Sequence, residues 1–232
     1  MEIFYLPIAF PPEKMSGRKA QVLMLQASGA GTTGLMRQFK RQDSLQDDPA
    51  AEIVEVYCST VGVDDHIIHY ETIPPEVPVT LHFWEFGGQT RFDPIRESYF
   101  KHADAFVLVY DISCPSTFDE LKQRFLPALR EQGDPSTPVY LIGTKADLRA
   151  EPRQDGWGNT LGVFCFIPTE EVQAWADSEG IVFLGDEVSG KTGVGVAAAF
   201  LKVANGVAET MGLPGIAKRI KPHSLPAGDE ED

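Results

Sequence analysis

Basic residues are scarce in this chain of 232 residues, where 20 Lys and Arg stand against 34 Asp and Glu and give a formal charge of −14. This excess of negative charge repels nucleic-acid backbones and acidic membrane surfaces. We find no local basic patch that would offset it, so a nucleic-acid partner is not expected. Cysteine is also scarce, with three residues at long spacings and no paired motif for zinc or a disulfide framework. A reducing compartment, the cytoplasm, fits this usage best.

Long apolar runs are missing as well. No segment approaches the roughly 20 apolar residues that a membrane-spanning helix needs. The first ten residues are apolar but lack the basic start of a signal peptide. Residue 2 is Glu and the chain ends in GDEED without Cys, so neither N-myristoylation nor prenylation is available. We therefore expect a cytoplasmic protein without a direct lipid anchor.

The hydrophobic content of 43% is enough for one sizeable core, and apolar runs alternate with helix-like segments. Strands are predicted at 20–25, 66–71, 79–86, 105–112, 139–142 and 181–184. Helices are predicted at 35–41, 116–130, 169–178 and 194–211. Such alternation is typical of an α/β fold, here a mostly parallel six-stranded sheet with helices on both faces. We predict an N-terminal extension (1–17), one domain (18–212) with a surface insertion (149–166), and a flexible, acidic-ended tail (213–232).

A glycine-rich segment, QASGAGTT (26–33), lies between the first predicted strand and a helix. Backbone N–H groups of such a loop, together with the helix N-terminus, can bind phosphate. Compared with the P-loop pattern GxxxxGK[ST], Gly31 and Thr33 match, whereas Gln26 replaces the first glycine and Thr32 replaces the lysine. Taken alone, half a pattern favours an ordinary turn.

A second segment, WEFGGQTRF (84–92), begins at the end of a predicted buried strand. It resembles the WDTAGQERF segment of the Ras superfamily of small GTPases in its Rab form, aligned without a gap. The matching residues are Trp84, Gly88, Gln89, Arg91 and Phe92. Glu85 replaces the aspartate that holds Mg²⁺ through water. The resemblance implies that the Gly88 N–H senses a γ-phosphate and that Gln89 orients the attacking water.

Three more segments occur in the family's order: STVGVD (59–64) resembles the Rab switch I sequence, GTKADL (143–148) is similar to the Asn/Thr-Lys-x-Asp motif, and SGKTG (189–193) resembles the Ser-Ala-Lys loop. The Asp147 carboxylate can accept the guanine N1–H and N2–H₂, a pair that adenine does not offer, while the Lys145 stem covers the ring. Each segment alone fits an ordinary loop or charged turn. Their common order and their positions at strand ends indicate a Ras-like G domain.

The resemblance implies GTP or GDP and Mg²⁺ as cofactors, and effector or complex-partner proteins that contact the switch-like regions. Gln89 is the implied catalytic residue. The implied nucleotide-binding residues are Gly29, Ala30, Gly31, Thr32, Thr33, Gly34, Thr60, Gly88, Thr144, Lys145, Asp147, Leu148, Ser189, Gly190 and Lys191. The implied magnesium residues are Thr33, Thr60 and Glu85.

The departures from the family pattern fall at the triphosphate end, at Gln26, Thr32 and Glu85. Two functions therefore remain open. The first is a divergent guanine-nucleotide-binding switch with weak or absent GTP hydrolysis. The second is a pseudoGTPase, an interaction module that does not bind or turn over nucleotide. An ATP-using P-loop enzyme is a distant third, because Asp147 would lack its guanine partner. His66 and His69 lie three apart on a predicted strand and face opposite sides, which argues against a metal pair.

Overall fold

The sheet of this protein has seven strands in a computed structural model that describes residues 18–44, 62–72, 78–150, 165–185, 188–213 and 215–220. The strands are β1 (Arg18–Gln26), β2 (Val63–Thr72), β3 (Pro78–Phe86), β4 (Ala105–Asp111), β5 (Val139–Thr144), β6 (Val182–Phe183) and β7 (Ile216–Ile220). Their order is β6-β5-β4-β1-β3-β2-β7. Strands β6, β5, β4, β1 and β3 run parallel, while β2 is antiparallel to both β3 and β7. The predicted α/β class with a mostly parallel sheet is confirmed, but the sheet has seven strands where six were predicted, because β7 adds to the edge at β2.

Helices cover both faces of the sheet. They are α1 (Thr32–Ser44), α2 (Asp93–Tyr99), α3 (Pro115–Glu120), α4 (Leu126–Gln132), α5 (Asp147–Ala150), α6 (Thr169–Glu179) and α7 (Val196–Thr210). A π-helical turn, Leu121–Phe125, joins α3 to α4. Apolar side chains of α1 and α7 pack on one face, and those of α2, α3, α4 and α6 pack on the other. In the part of the chain described here, no helix has both the length and the apolar character needed to cross a membrane.

The parallel register brings the carboxyl ends of β1, β3, β4 and β5 to one edge of the sheet, because neighbouring strands run in the same direction. The segments that follow these strands therefore meet at this edge. In open α/β sheets ligands bind outside the carboxyl ends of the strands. The same edge carries the glycine-rich loop, the segment 84–92 and the segment 143–148.

Several elements differ from the sequence-based prediction. Strand β7 pairs with β2 and lies inside the segment predicted to be a flexible tail, so that prediction is wrong for Ile216–Ile220. Helices α2 and α5 were not predicted, and α1 begins at Thr32, three residues earlier than expected. Short helices such as these carry too few apolar positions for a helical period to be recognised. Residues 151–164 of the predicted insertion, the N-terminal extension and residues 221–232 lie outside the described residues.

Candidate functional site

The predicted base-reading half of the site lies at the carboxyl end of β5, at the start of α5 and in the segment before α7. Asp147 accepts a hydrogen bond of 2.5 Å from the Ser189 hydroxyl, which aligns one carboxylate oxygen. The same Ser189 Oγ accepts the backbone N–H groups of Lys191 and Thr192, at 3.2 and 3.1 Å. One hydroxyl therefore connects the two predicted base motifs and fixes the orientation of the Asp147 carboxylate.

Lys145 connects this half to the glycine-rich loop. Its backbone has a positive φ of 66°, which is unusual for a residue with a side chain. The ammonium group donates to the Gly29 carbonyl at 2.8 Å and lies 2.7 Å from an Asp111 carboxylate oxygen. The Thr144 hydroxyl lies within hydrogen-bond distance of the Ala30 carbonyl and, at 3.0 Å, of the Tyr110 carbonyl, and its single proton is shared between them or goes to one of them. The predicted base-reading residues thus hold the loop and the end of β5 together.

The glycine-rich loop itself has two glycines in the left-handed region, Gly29 at φ 83° and Gly31 at φ 98°. This conformation favours glycine and lets the loop turn tightly into α1. Gly34 lies exposed in the first turn of that helix. On the inner side of the loop, however, the Gln26 side chain accepts the Thr32 backbone N–H at 3.1 Å. Gln26 is only 6% exposed, so it fills the inside of the loop.

Glu85, at the end of β3, lies next to Gln26 and is fully buried. One of its carboxylate oxygens accepts the Gln26 side-chain N–H at 3.2 Å and also the Thr33 hydroxyl. The other oxygen lies 3.3 Å from His66 Nε2 on β2. A buried carboxylate is costly unless it is hydrogen-bonded, and these three partners satisfy it. Thr33 and Glu85, both predicted magnesium residues, therefore contact each other directly.

Gly88 lies directly against the glycine-rich loop. A Cβ added there would come within 2.5 Å of the Ser28 backbone nitrogen and 2.8 Å of the Gln26 carbonyl oxygen. No residue with a side chain fits this approach without movement of backbone. Gln89 follows, partly buried, and its carbonyl accepts the Phe92 N–H at 3.0 Å.

Two arginines hold the segment that contains Gly87 and Gly88. Arg124 donates to the Gly88 carbonyl at 3.1 Å, and Arg96 donates to the Gly87 carbonyl at 3.4 Å. Both arginines also form ion pairs with Asp93. Burial lowers the pKa of the Arg96 guanidinium, and the Asp93 carboxylate acts in the opposite direction. These protein contacts hold the segment that the family resemblance assigns to γ-phosphate sensing.

Of the four remaining predicted site residues, three lie in the described part of the chain and one does not. Leu148 lies in α5 next to Asp147 and is partly buried. Gly190 packs against the first turn of α1, where an added Cβ would lie 2.8 Å from the Leu35 backbone nitrogen. The Lys191 side chain is exposed. Thr60, predicted to bind both nucleotide and magnesium, lies outside the described residues.

Three functional contributions were missed by the sequence analysis: the Gln26 carboxamide as an acceptor inside the loop, His66 as a partner of Glu85, and Arg124 as a support for Gly88. The substitution at Gln26 was visible as a departure from the pattern. His66 and Arg124 gave no local signal, because each reaches its partner across the fold.

Comparisons with known proteins agree with this geometry. The model of the Ras family matches residues 21–209. The Arabidopsis thaliana Ras-related protein RABA1h is 30% identical over 210 residues, which is 90% of this chain and 80% of that protein. Human Ras-related protein Rab-37 is 29% identical, covering 85% of this chain and 76% of its own. The maize GTP-binding protein YPTM2 is 29% identical, with 88% of each chain covered.

The chain therefore belongs to the Ras family. Within the small GTPases it is Rab-like, and its Ras-like G domain accounts for the sheet order and the site at the sheet edge.

Members of the Ras family generally bind GTP or GDP together with Mg²⁺. The predicted base-binding residues have the chemistry for such a ligand, since Asp147 carries a carboxylate acceptor and Lys145 an aliphatic stem at the same strand end. The phosphate half does not fit in this arrangement. The Thr32 N–H is already bonded to Gln26, and the Thr33 hydroxyl is bonded to Glu85.

Proposed function

We propose that this Rab-like protein is a regulatory switch that recognises guanine nucleotide chiefly through the base and hydrolyses GTP slowly or not at all. The division of the site carries this proposal. Ser189 holds Asp147 in place for guanine, whereas Gln26 and Glu85 fill the side of the loop that would face phosphates. Effector or complex-partner proteins would contact the switch-like segments, including 84–92.

The direct test is the nucleotide content of the full-length protein. Purified chain is denatured, and released nucleotides are identified by chromatography, while a second sample is titrated with GDP and ATP. We expect guanine nucleotide to be released or, if it is lost on purification, GDP to bind in the titration. Adenine nucleotide alone, or no binding of GDP, would contradict the proposal.

Asp147→Asn should move base preference from guanine toward xanthine. The amide replaces one carboxylate oxygen with a donor, which cannot accept the guanine N–H groups but can face the xanthine carbonyl. We expect a change of about tenfold in the GDP-to-XDP affinity ratio, in the range for a bidentate base contact. Competition binding measures it, with Asp119→Asn in α3 as the matched control away from the site. Equal competition by ATP and GTP in the unsubstituted protein would contradict guanine recognition.

GTP hydrolysis by the isolated chain should be slow. Gln89 is present, but no lysine stands at position 32 to stabilise charge that develops between the β and γ phosphates. Unassisted family members with this glutamine hydrolyse GTP on the order of 10⁻⁴ s⁻¹ and need an arginine supplied by a partner. We expect a single-turnover rate at or below that value. A rate of about 1 s⁻¹ that Gln89→Leu abolishes would refute this prediction and indicate another cationic group.

A second candidate function is the pseudoGTPase, an interaction module without nucleotide. One observation favours it: Gly87 and Gly88 are held by hydrogen bonds from Arg96 and Arg124 and to the Gly62 carbonyl. Such a segment could present one fixed surface to partner proteins. The absence of GDP binding at millimolar concentration, with the protein folded, would select this candidate over the first.

A further inference from the structure

We propose that the Gln26 carboxamide is an internal ligand of the glycine-rich loop, which the phosphates of a guanine nucleotide must displace in order to bind. This inference rests on the proposed function, because it concerns how the same site admits its nucleotide. It attributes the weak binding of phosphates at this site to the side chain of Gln26.

The Gln26 carboxamide is held by the N-terminus of α1. The first N–H groups of a helix have no partner within the helix and are satisfied by side chains, water or ligands. Thr32 begins α1, and its N–H donates to Gln26 Oε1 at 3.1 Å. Gln26 stands at the end of β1, so its side chain caps the helix from beneath the loop. The side-chain nitrogen of Gln26, Nε2, donates to Glu85 at 3.2 Å, and this hydrogen bond fixes the orientation of the Gln26 amide.

The same N–H group cannot serve Gln26 and a phosphate at full strength. Backbone N–H groups of a glycine-rich loop bind phosphate oxygens in P-loop proteins. A phosphate that approaches the Thr32 N–H would meet the side-chain oxygen of Gln26, Oε1, so that two hydrogen-bond acceptors would face each other. Gln26 is 6% exposed, and Gly88 packs against its backbone. The glycine-rich loop and Gly88 together therefore cover the Gln26 side chain. Binding therefore requires that the carboxamide leave its position.

This competition predicts which ligands are affected. Guanosine contacts only the base-reading half, and its affinity should not depend on Gln26. GDP and GTP carry phosphates that compete with the carboxamide, and their affinities should depend on it. The inferred ligand class is therefore guanine nucleotide held mainly by its base, with a small contribution from its phosphates.

Two substitutions separate hydrogen bonding from bulk. Gln26→Ala removes the carboxamide and opens space, whereas Gln26→Met keeps the length and removes the acceptor. Gln173→Ala, on the exposed face of α6, is the matched control. Each variant is titrated with guanosine, GDP and GTP. We expect Gln26→Ala to bind GDP and GTP about three- to tenfold more tightly, the equivalent of one net hydrogen bond, with no change for guanosine. Gln26→Met also frees the Thr32 N–H, so it should gain affinity for GDP and GTP in the same direction, by less than Gln26→Ala because its bulk remains, whereas Gln173→Ala should show no gain.

A second readout does not depend on nucleotide binding. Hydrogen exchange of the Thr32 amide is measured by NMR in nucleotide-free protein. We expect protection in the unsubstituted protein and its loss in Gln26→Ala and Gln26→Met. A Thr32 amide that exchanges freely in the unsubstituted protein would overturn the inference, as would equal GDP affinity of Gln26→Ala and the unsubstituted protein. A protected Thr32 amide with no guanine ligand bound by any variant would overturn the proposed function and leave the internal ligand supported.

Discussion

Thr32→Lys added to Gln26→Ala should tighten GTP binding by roughly tenfold to a hundredfold beyond Gln26→Ala alone, while Thr32→Lys in the otherwise unsubstituted protein should change it little. A charge-assisted contact between lysine and phosphate contributes about 1.5 to 3 kcal/mol, which corresponds to that gain in affinity. Thr32 is fully buried, and its N–H is bonded to the Gln26 carboxamide. The lysine can use its charge only when phosphates reach the loop, so the benefit depends on removal of Gln26.

The measurement is a double-mutant cycle from GTP titrations of the two single variants and the double variant. Residues that share a partner show coupling of about 0.5 to 3 kcal/mol, whereas independent residues add. Gln173→Ala combined with Thr32→Lys serves as the additive control. Full tightening by Thr32→Lys alone would show that Gln26 does not block the loop. Unchanged affinity in the double variant would show that the rest of the phosphate half, not these two positions, limits binding.

The proximity of segments 143–148 and 189–193 could be predicted from the sequence, because each segment is recognisable from its own residues. Segment 143–148 begins in the last two residues of β5 and segment 189–193 comes after β6, and a parallel sheet brings such strand ends together. The contact between Ser189 and Asp147, 42 residues apart, follows from that topology. Alternating strands and helices likewise predicted the fold class. A continuous apolar run predicts a strand that is buried on both faces, and this signal needs no information from the rest of the chain.

The phosphate half could be predicted only as a departure from a pattern. The replacement of glycine by Gln26 is visible in the sequence, but where the carboxamide points depends on Glu85, 59 residues away. His66 was considered only as a metal ligand, yet it pairs with Phe83 in the β2–β3 register and reaches Glu85 diagonally. Such diagonal contacts depend on strand register, which residue types alone do not specify. Strand β7 was missed for the same reason, since it forms only against the edge of β2.

Glu85→Ala should lower the free energy of unfolding by about 3 kcal/mol in the absence of nucleotide and magnesium. The carboxylate is fully buried and accepts from Gln26 and Thr33, with His66 at 3.3 Å. Loss of a buried charged acceptor leaves its donors unsatisfied, which costs about 1 to 3 kcal/mol for each group left without a partner. The costs for the three partners add, but partial rearrangement of their side chains keeps the expected loss of stability at the low end of that total.

Glu85→Asp tests whether the length of this side chain is specific. Aspartate is the residue of the family pattern at this position, but it is one methylene shorter and cannot reach Gln26, Thr33 and His66 together. We expect it to lose about 1 to 2 kcal/mol, the equivalent of one or two hydrogen bonds. Urea unfolding with EDTA present measures both variants, and the exposed Glu131→Ala in α4 should stay within about 0.5 kcal/mol of the unsubstituted protein. If Glu85→Asp is as stable as the unsubstituted protein without magnesium, the length of the Glu85 side chain is not needed to hold Gln26, Thr33 and His66.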